Sequence, residues 1–210
     1  MRSADAVTLS RIPLAMLIVY LILVKFNPLI IILLIAIVMA LDGLDGYFAV
    51  KEESKGSVTF TSYLRAAFGD LAEKKQVGKI KERIKEAAPH GARMDVAGDR
   101  AIEYSFWIVF TYVHILPIYV LLIIVIRHSF VDALMASKGT SSKMKTAFAR
   151  MMYSSNIARG GVNVVKFATF SYLVLMYVSN YPSIIGYALT TILVIYILLR
   201  GAAEIYESMA

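Results

Sequence analysis

Four carboxylates interrupt an otherwise apolar chain at helical spacing. Asp42 and Asp45 lie three residues apart at the end of the apolar run that begins at Pro28, and Asp95 and Asp99 lie four residues apart just ahead of another apolar run. Because residues three or four apart share one face of a helix, each segment is predicted to present two carboxylates together. Charged side chains at the edge of a bilayer are costly and are functional by default unless they are paired.

A cluster of carboxylates would repel itself unless cations neutralised it. Carboxylate oxygens are ligands of Mg²⁺ and Mn²⁺. A pair of such ions can clamp the attacking and the leaving oxygen of a phosphoryl transfer. Two other interpretations of these aspartates remain open: they could pair with buried arginines, or they could belong to a proton path.

Small residues accompany the aspartates at fixed offsets. Together they resemble the signature of the CDP-alcohol phosphotransferases, D-x-x-D-G-x-x-A-R-x₈-G-x-x-x-D-x-x-x-D. Seven of the eight fixed residues of that signature are present: Asp42, Asp45, Gly46, Ala49, Gly91, Asp95 and Asp99.

The chain departs from the signature at two points. Val50 stands where the signature has arginine, and 40 residues rather than eight separate it from Gly91. The arginine position lies next to the nucleotide in the family pattern, and the neighbouring Lys51 is a candidate substitute. Near the amino terminus, Thr8-Leu-Ser-Arg11 resembles the Thr-x-x-Arg that is often found at the start of the family's first helix.

The resemblance implies a role for each matching residue. Asp42, Asp45 and Asp95 are expected to hold two Mg²⁺ or Mn²⁺ ions. Asp99 is expected to complete the metal site and to take the proton of the acceptor hydroxyl. The small residues that would border the cytidine diphosphate are Gly46, Ala49 and Gly91.

The implied reaction is attack of an acceptor hydroxyl on the β-phosphate of a CDP-linked alcohol, with release of CMP. In most of the family the CDP-alcohol is a CDP-diradylglycerol lipid and the product is a phospholipid, so the expected partners are a lipid substrate and a small polar acceptor. Neither the acceptor nor the choice between ester and ether lipid is evident in the chain. Family members are commonly homodimers, which is the oligomeric state that the resemblance implies.

Composition indicates an integral membrane protein. Of 210 residues, 59% are hydrophobic and 18% are charged, which is typical of a bundle of membrane helices. The net charge of +7 suggests contact with anionic lipid rather than with nucleic acid, since the chain lacks the aromatic and basic pattern of an RNA-binding surface. The absence of cysteine excludes disulfide and thiolate chemistry.

Hydrophobic segments predict a single all-α domain over residues 1–210 with six transmembrane helices. The predicted segments are Ile12–Val24, Pro28 to about Val50, Ala92–Val113, Ile115 to about Ser137, Asn156–Val178 and Ser183–Arg200. Of the 22 lysines and arginines, Lys25 alone falls in a loop on the side opposite the termini. The positive-inside rule therefore predicts cytoplasmic termini and a cytoplasmic active site in the cell membrane.

Residues 51–90 form a polar insertion that is predicted to lie in the cytoplasm. The Ser- and Thr-rich first half is interpreted as a loop, whereas Asp70–Ala88 has the pattern of a basic amphipathic helix. Val77, Ile80 and Ile84 lie on one face of that helix. This face is expected either to lie on an anionic leaflet or to dock on the helix bundle.

The fifth predicted transmembrane helix carries a second polar group. Asn156, Arg159, Asn163 and Lys166 recur at helical spacing, and Arg127 and Arg200 fall at a similar depth by residue count. Facing the bundle interior, these side chains would suit an anionic acceptor such as an inositol phosphate or glycerol phosphate. The alternatives are ion pairs with Glu103, Asp132 or Glu204, or binding of lipid headgroups.

Two other functions would also use intramembrane acids. Aspartate-rich membrane prenyltransferases use Mg²⁺ and pyrophosphate, but are expected to have more membrane helices and longer aspartate motifs. A cation- or proton-coupled transporter would explain the carboxylates but not the glycine offsets, and the sequence has no inverted repeat. Metal-dependent release of CMP separates these classes.

Overall fold

The computed structural model describes residues 3–68, 71–87, 89–138 and 156–209, and within them the chain is helical and contains no β-strand. The helices are α1 (Ser3–Leu23), α2 (Pro28–Glu53), α3 (Phe60–Phe68), α4 (Leu71–Ala87), α5 (Pro89–Tyr112), α6 (Ile118–Lys138), α7 (Asn156–Ser179) and α8 (Ser183–Met209). The all-α prediction is confirmed for the described residues. Residues 139–155, between the fourth and the fifth predicted transmembrane helix, lie outside them.

Local signals in the sequence determine where several helices begin and end. Asn27 precedes Pro28 at the start of α2, and its side-chain oxygen accepts a hydrogen bond from the Leu29 amide at 3.0 Å. This is the arrangement of an asparagine N-cap followed by proline in the first helical position. At the other end of α2, Lys55 adopts φ 50° and the Gly56 amide donates to the Lys51 carbonyl at 2.9 Å, which closes the helix with a left-handed turn.

Three of the described helices are long and apolar enough to cross a membrane: Pro28–Glu53, Gly161–Ser179 and Ser183–Glu207. A shorter apolar helix covers Val7–Leu23. Many large apolar side chains are exposed along these segments, among them Leu33, Ile184 and Ile195. Exposed apolar surface of this extent indicates contact with lipid, so the chain is a membrane protein. Six transmembrane helices remain a prediction, because α5 carries charged residues and the apolar part of α1 is short.

The chain divides into two compact units. The first comprises Met1–Leu21 and Leu33–Ser105, and the second comprises Ile22–Ile32 and Phe106–Ala210. In the second unit, α8 packs against both α6 and α7. Its core includes Phe170, whose ring centroid lies 5.2 Å from those of Phe106 and Trp107. Large rings in such contacts supply much of the buried apolar surface of a helix bundle.

The first unit contains the insertion, and here one prediction was wrong. Phe60–Phe68 is helical, although the Ser- and Thr-rich first half was expected to be a loop. Thr59 caps this helix, because its side-chain oxygen accepts a hydrogen bond from the Ser62 amide at 3.2 Å. The predicted basic amphipathic helix is present as α4, within one residue of its expected bounds.

The apolar face of α4 is covered by protein. Val77 is buried in a cluster with Val50, Val58 and Ala66, and Ile80 and Ile84 pack against that cluster, as does Tyr63. The insertion is therefore docked on α2. Of the two expectations for this face, an anionic leaflet or the helix bundle, the structure shows packing on the bundle.

Candidate metal-binding aspartate cluster

Asp42, Asp95 and Asp99 come together in the first unit. Asp42 lies just past the middle of α2, and Asp95 and Asp99 lie one turn apart in α5. One carboxylate oxygen from each residue lies within 4.8 Å of the others. Segments 53 residues apart in the sequence thus supply a single group of three carboxylates, as their helical spacing and the motif predicted.

Arg11 of α1 binds two members of this cluster. Its Nη2 atom lies 2.9 Å from Asp42 Oδ1 and 2.9 Å from Asp99 Oδ1. The Arg11 side chain is 4% exposed, whereas those of Asp42 and Asp99 are 31% and 40% exposed. Pairing with a buried arginine, which was the alternative interpretation of the aspartates, therefore occurs for two of them. One guanidinium nevertheless faces three carboxylates, so negative charge remains in excess among these four side chains.

Close packing between α1 and α5 positions Arg11. A Cβ atom added at Gly98 would lie 2.6 Å from Thr8 Cγ2, so only glycine permits this approach without a shift. Thr8 is buried one turn before Arg11 on the same helix. Contact of Thr8 with Gly98 consequently holds Arg11 level with Asp99. Neither Arg11 nor Gly98 was assigned to the site from the sequence; the Thr-x-x-Arg pattern was the available signal.

The insertion reaches the motif at Gly46. A Cβ atom added at Gly46 would lie 2.8 Å from Tyr63 Oη, so the hydroxyl of this α3 residue lies against the α2 backbone. The Lys81 ammonium donates a hydrogen bond to the same hydroxyl at 3.3 Å. Gly46, which the resemblance places beside the nucleotide, thus lies beside a tyrosine hydroxyl that is itself bound to a lysine.

The side chains of Asp45 and Arg159 lie outside the described part of the chain, as do those of Asn156 and of the residues around Gly91, whose backbone lies in the first turn of α5. Ala49 is a partly buried residue of α2, one turn after Asp45.

The predicted acceptor-binding residues belong to the second unit, where Arg127 is engaged by an acid. Its Nη2 atom lies 2.8 Å from Glu204 Oε2, and its Nε donates to the Ile197 carbonyl at 3.1 Å. This ion pair is one of the alternatives expected from the sequence. Lys166 and Arg200 are partly buried residues of α7 and α8.

Glu103 has an ion-pair partner on its own helix. The Nη1 atom of Arg100 lies 3.6 Å from Glu103 Oε2, and the Glu103 side chain is 5% exposed. Pairing one turn away accounts for a buried acid without assigning it to the metal cluster.

The donor set of the cluster fits a hard divalent cation. Three carboxylates from two helices supply oxygen ligands only, and Mg²⁺ and Mn²⁺ are cations that such ligands suit. Partial exposure of Asp42 and Asp99 leaves the cluster accessible to a phosphate group that shares the cation. Chemically, the arrangement can bind a metal–phosphate complex and can accept a proton on a carboxylate.

Comparisons with models of protein families, with curated proteins and with solved structures return no match to this chain.

Proposed function

We propose that this protein is a metal-dependent CDP-alcohol phosphotransferase of the membrane. The observation that carries the proposal is the convergence of Asp42, Asp95 and Asp99, whose carboxylate oxygens lie within 4.8 Å of one another. The glycine and alanine offsets around these residues match the family signature, which a chance cluster of acids would not do.

In the proposed site, Asp42, Asp95 and Asp99 together with Asp45 hold Mg²⁺ or Mn²⁺. When bound, these ions neutralise the charge on the phosphate oxygens of the substrate. Arg11 holds Asp42 of α2 and Asp99 of α5 in place, because its Nη2 atom lies 2.9 Å from a carboxylate oxygen of each. A pre-positioned set of ligands contributes to catalysis since it does not need to reorganise during the reaction.

The reaction is a substitution at phosphorus. The acceptor hydroxyl oxygen forms a bond to the β-phosphorus of the CDP-alcohol, and the bond from that phosphorus to the bridging oxygen breaks, so that CMP leaves with the electron pair. Asp99 takes the proton of the acceptor hydroxyl. Its second carboxylate oxygen suits this role, since Oδ1 already accepts a hydrogen bond from Arg11.

The lipid substrate follows from the position of the site. Asp42 directly follows the apolar run 28–41, within a helix that is long and apolar enough to cross a membrane. A CDP-diradylglycerol would keep its chains in the bilayer and present its diphosphate at this level. Six membrane helices and cytoplasmic termini, which the hydrophobic segments and the positive-inside rule predict, complete the proposal together with a homodimer, which the resemblance implies.

An anionic acceptor remains part of the proposal. Arg159, Lys166 and Arg200 are the candidate residues for a polyol phosphate, and we assign Arg127 to the ion pair with Glu204 instead. Charge-assisted hydrogen bonds would then select a phosphorylated over a neutral acceptor.

Purified protein in lipid tests the proposal. It is incubated with a CDP-diradylglycerol, Mg²⁺ or Mn²⁺ and a panel of acceptors that includes inositol phosphate, glycerol phosphate, inositol and serine, and CMP is measured. We expect metal-dependent CMP release with one acceptor and its loss in Asp95→Asn. Absence of CMP with every acceptor would contradict the proposal and favour a transporter.

A further inference from the structure

Burial of Val50 links the two departures from the family signature. Its side chain is fully buried among Val58, Ala66 and Val77, which come from the turn after α2, from α3 and from α4. An arginine at this position would place a charge inside that apolar cluster, at a cost of several kcal/mol unless it were paired. The residue that replaces the signature arginine is therefore the residue on which the insertion docks.

Docking brings a polar pair from the insertion to the motif. Tyr63 Oη lies against Gly46, and the Lys81 ammonium lies 3.3 Å from that oxygen and 5.0 Å from the centre of the Tyr63 ring. The Tyr63 ring is fixed by Tyr47, whose centroid is 5.7 Å away in an edge-to-face arrangement. The position of the hydroxyl is thus determined by packing on both sides of the ring.

This pair is close to the aspartates along α2. Gly46 follows Asp42 by four residues, which is about 6 Å of helical rise on nearly the same face. Tyr63 is partly buried and Lys81 is exposed, so a ligand that approaches the cluster from the polar side can reach both. A tyrosine hydroxyl that accepts a hydrogen bond can still donate its own proton, and an ammonium has three protons to donate.

We propose that Tyr63 and Lys81 form a phosphate-binding contact for the diphosphate of the CDP-alcohol, supplied by the insertion. The inference rests on the proposed function and adds to it two residues and a role for residues 51–90. A hydroxyl and an ammonium beside a glycine are suited to phosphate oxygens, because charge-assisted hydrogen bonds to phosphate are short and strong. The acidic cluster and this contact would then bind opposite ends of one metal–diphosphate group.

Steady-state kinetics of CMP release test this contact with two test variants and matched controls. Tyr63→Phe removes the hydroxyl and keeps the ring that packs on Tyr47, and Lys81→Met removes the charge. Lys79→Met is the matched control, since Lys79 is exposed on the same helix two residues away and points to another side. We expect the KM for the CDP-alcohol to rise about tenfold in each test variant, with kcat nearly unchanged, because a charged hydrogen bond to bound substrate is lost. Lys79→Met should behave as the wild type, and Lys81→Arg should restore most of the lost affinity.

The outcomes separate this inference from the proposed function. A wild type that releases CMP while Tyr63→Phe and Lys81→Met keep its KM would overturn the inference and leave the function intact. A rise in KM in Lys51→Met instead would assign the contact to Lys51 and would also overturn it. Lower kcat at unchanged KM in fully folded variants would assign the pair to the transition state rather than to substrate binding, and would also overturn the inference. No CMP release by the wild type would refute the function, and the inference with it.

Discussion

Each unit of the molecule holds an arginine against carboxylates, but the charge balance differs. In the second unit, Arg127 faces Glu204 at 2.8 Å, and the two side chains are only 8% and 13% exposed. In the first unit, Arg11 contacts both Asp42 and Asp99 at 2.9 Å, with Asp95 in the same cluster. The pair in the second unit joins one cation to one anion, whereas the cluster in the first unit leaves carboxylates in excess.

This difference distinguishes a structural ion pair from a candidate site. A matched, nearly buried pair satisfies both charges and holds two helices together, with no need for a further ligand. An unmatched cluster that is partly exposed is stabilised when a divalent cation enters it. The presence of an arginine beside an aspartate is therefore no argument against function; the number of carboxylates and their exposure decide the matter.

The largest expected effect comes from replacing a carboxylate of the acidic cluster by its amide, with the same change in the structural ion pair as the control. Asp99→Asn should lower kcat for CMP release by about 10³-fold, because it removes the proposed base. Glu204→Gln is the same chemical change in the structural pair, and it should leave kcat per folded molecule within about twofold of the wild type, since no proton-transfer group is lost. Equal losses of activity in the two variants would remove the distinction between the arrangements.

Removal of Arg127 should mainly affect stability. Arg127→Met leaves the nearly buried Glu204 carboxylate without this partner, and we expect a loss of about 3 kcal/mol in the free energy of unfolding. Thermal unfolding in detergent measures the change. The loss should be the same with and without Mn²⁺, because the affected pair lies outside the metal cluster. Rescue by Mn²⁺ would contradict the assignment.

Removal of Arg11, unlike removal of Arg127, should cause a loss of stability that Mn²⁺ reduces. Arg11→Met raises the repulsion among Asp42, Asp95 and Asp99, at a cost of about 1–3 kcal/mol in the absence of metal. A ligand that binds only the folded state stabilises it in proportion to its affinity. Mn²⁺ should therefore raise the unfolding temperature more in Arg11→Met than in the wild type. A smaller rise would show that the positioning of the ligands by Arg11 contributes more to metal binding than the charge that Arg11 neutralises.

The smallest effect should follow a change in helix packing. In Gly98→Ala, the new methyl group meets Thr8 Cγ2 at 2.6 Å, and such overpacking costs about 1–3 kcal/mol, partly offset by about 1 kcal/mol of helix propensity. Unfolding of the variant measures the net loss, and Thr8→Ser in the same chain should recover part of it. Gly161→Ala is the control, since no described atom lies within 4 Å of its Cβ position. Equal stability of the two alanine variants would argue against close packing of α1 on α5.

Local patterns in the sequence were sufficient to predict most helices and the acidic cluster. The 3.6-residue period of Val77, Ile80 and Ile84 predicted α4, and the offsets of Asp95 and Asp99 predicted their common face. By contrast, α3 was missed, because Thr59 and its neighbours resemble a loop in composition although one of them caps a helix. A cap and a loop use the same residue types.

Contacts that depend on tertiary packing were beyond prediction. The contact of Arg11 with Asp99 requires Thr8 to pack on Gly98, and the position of Tyr63 at Gly46 requires the insertion to dock on Val50. Neither contact leaves a periodic signal, since each joins segments that are distant in the chain. The motif residues were visible in the sequence, but among the residues that support them only Thr8 and Arg11 left a signal, the Thr-x-x-Arg pattern.

Binding of Mn²⁺ in the absence of substrate tests the central claim most directly. Electron paramagnetic resonance can count free and bound Mn²⁺ for the wild type, for Asp95→Asn and for Glu204→Gln. We expect the wild type and Glu204→Gln to bind Mn²⁺ with the same dissociation constant. In Asp95→Asn the dissociation constant should rise by about tenfold or more, because one ligand of the metal is lost. Equal binding by all three proteins, or no binding by the wild type, would contradict the assignment of Asp42, Asp95 and Asp99 as a metal site.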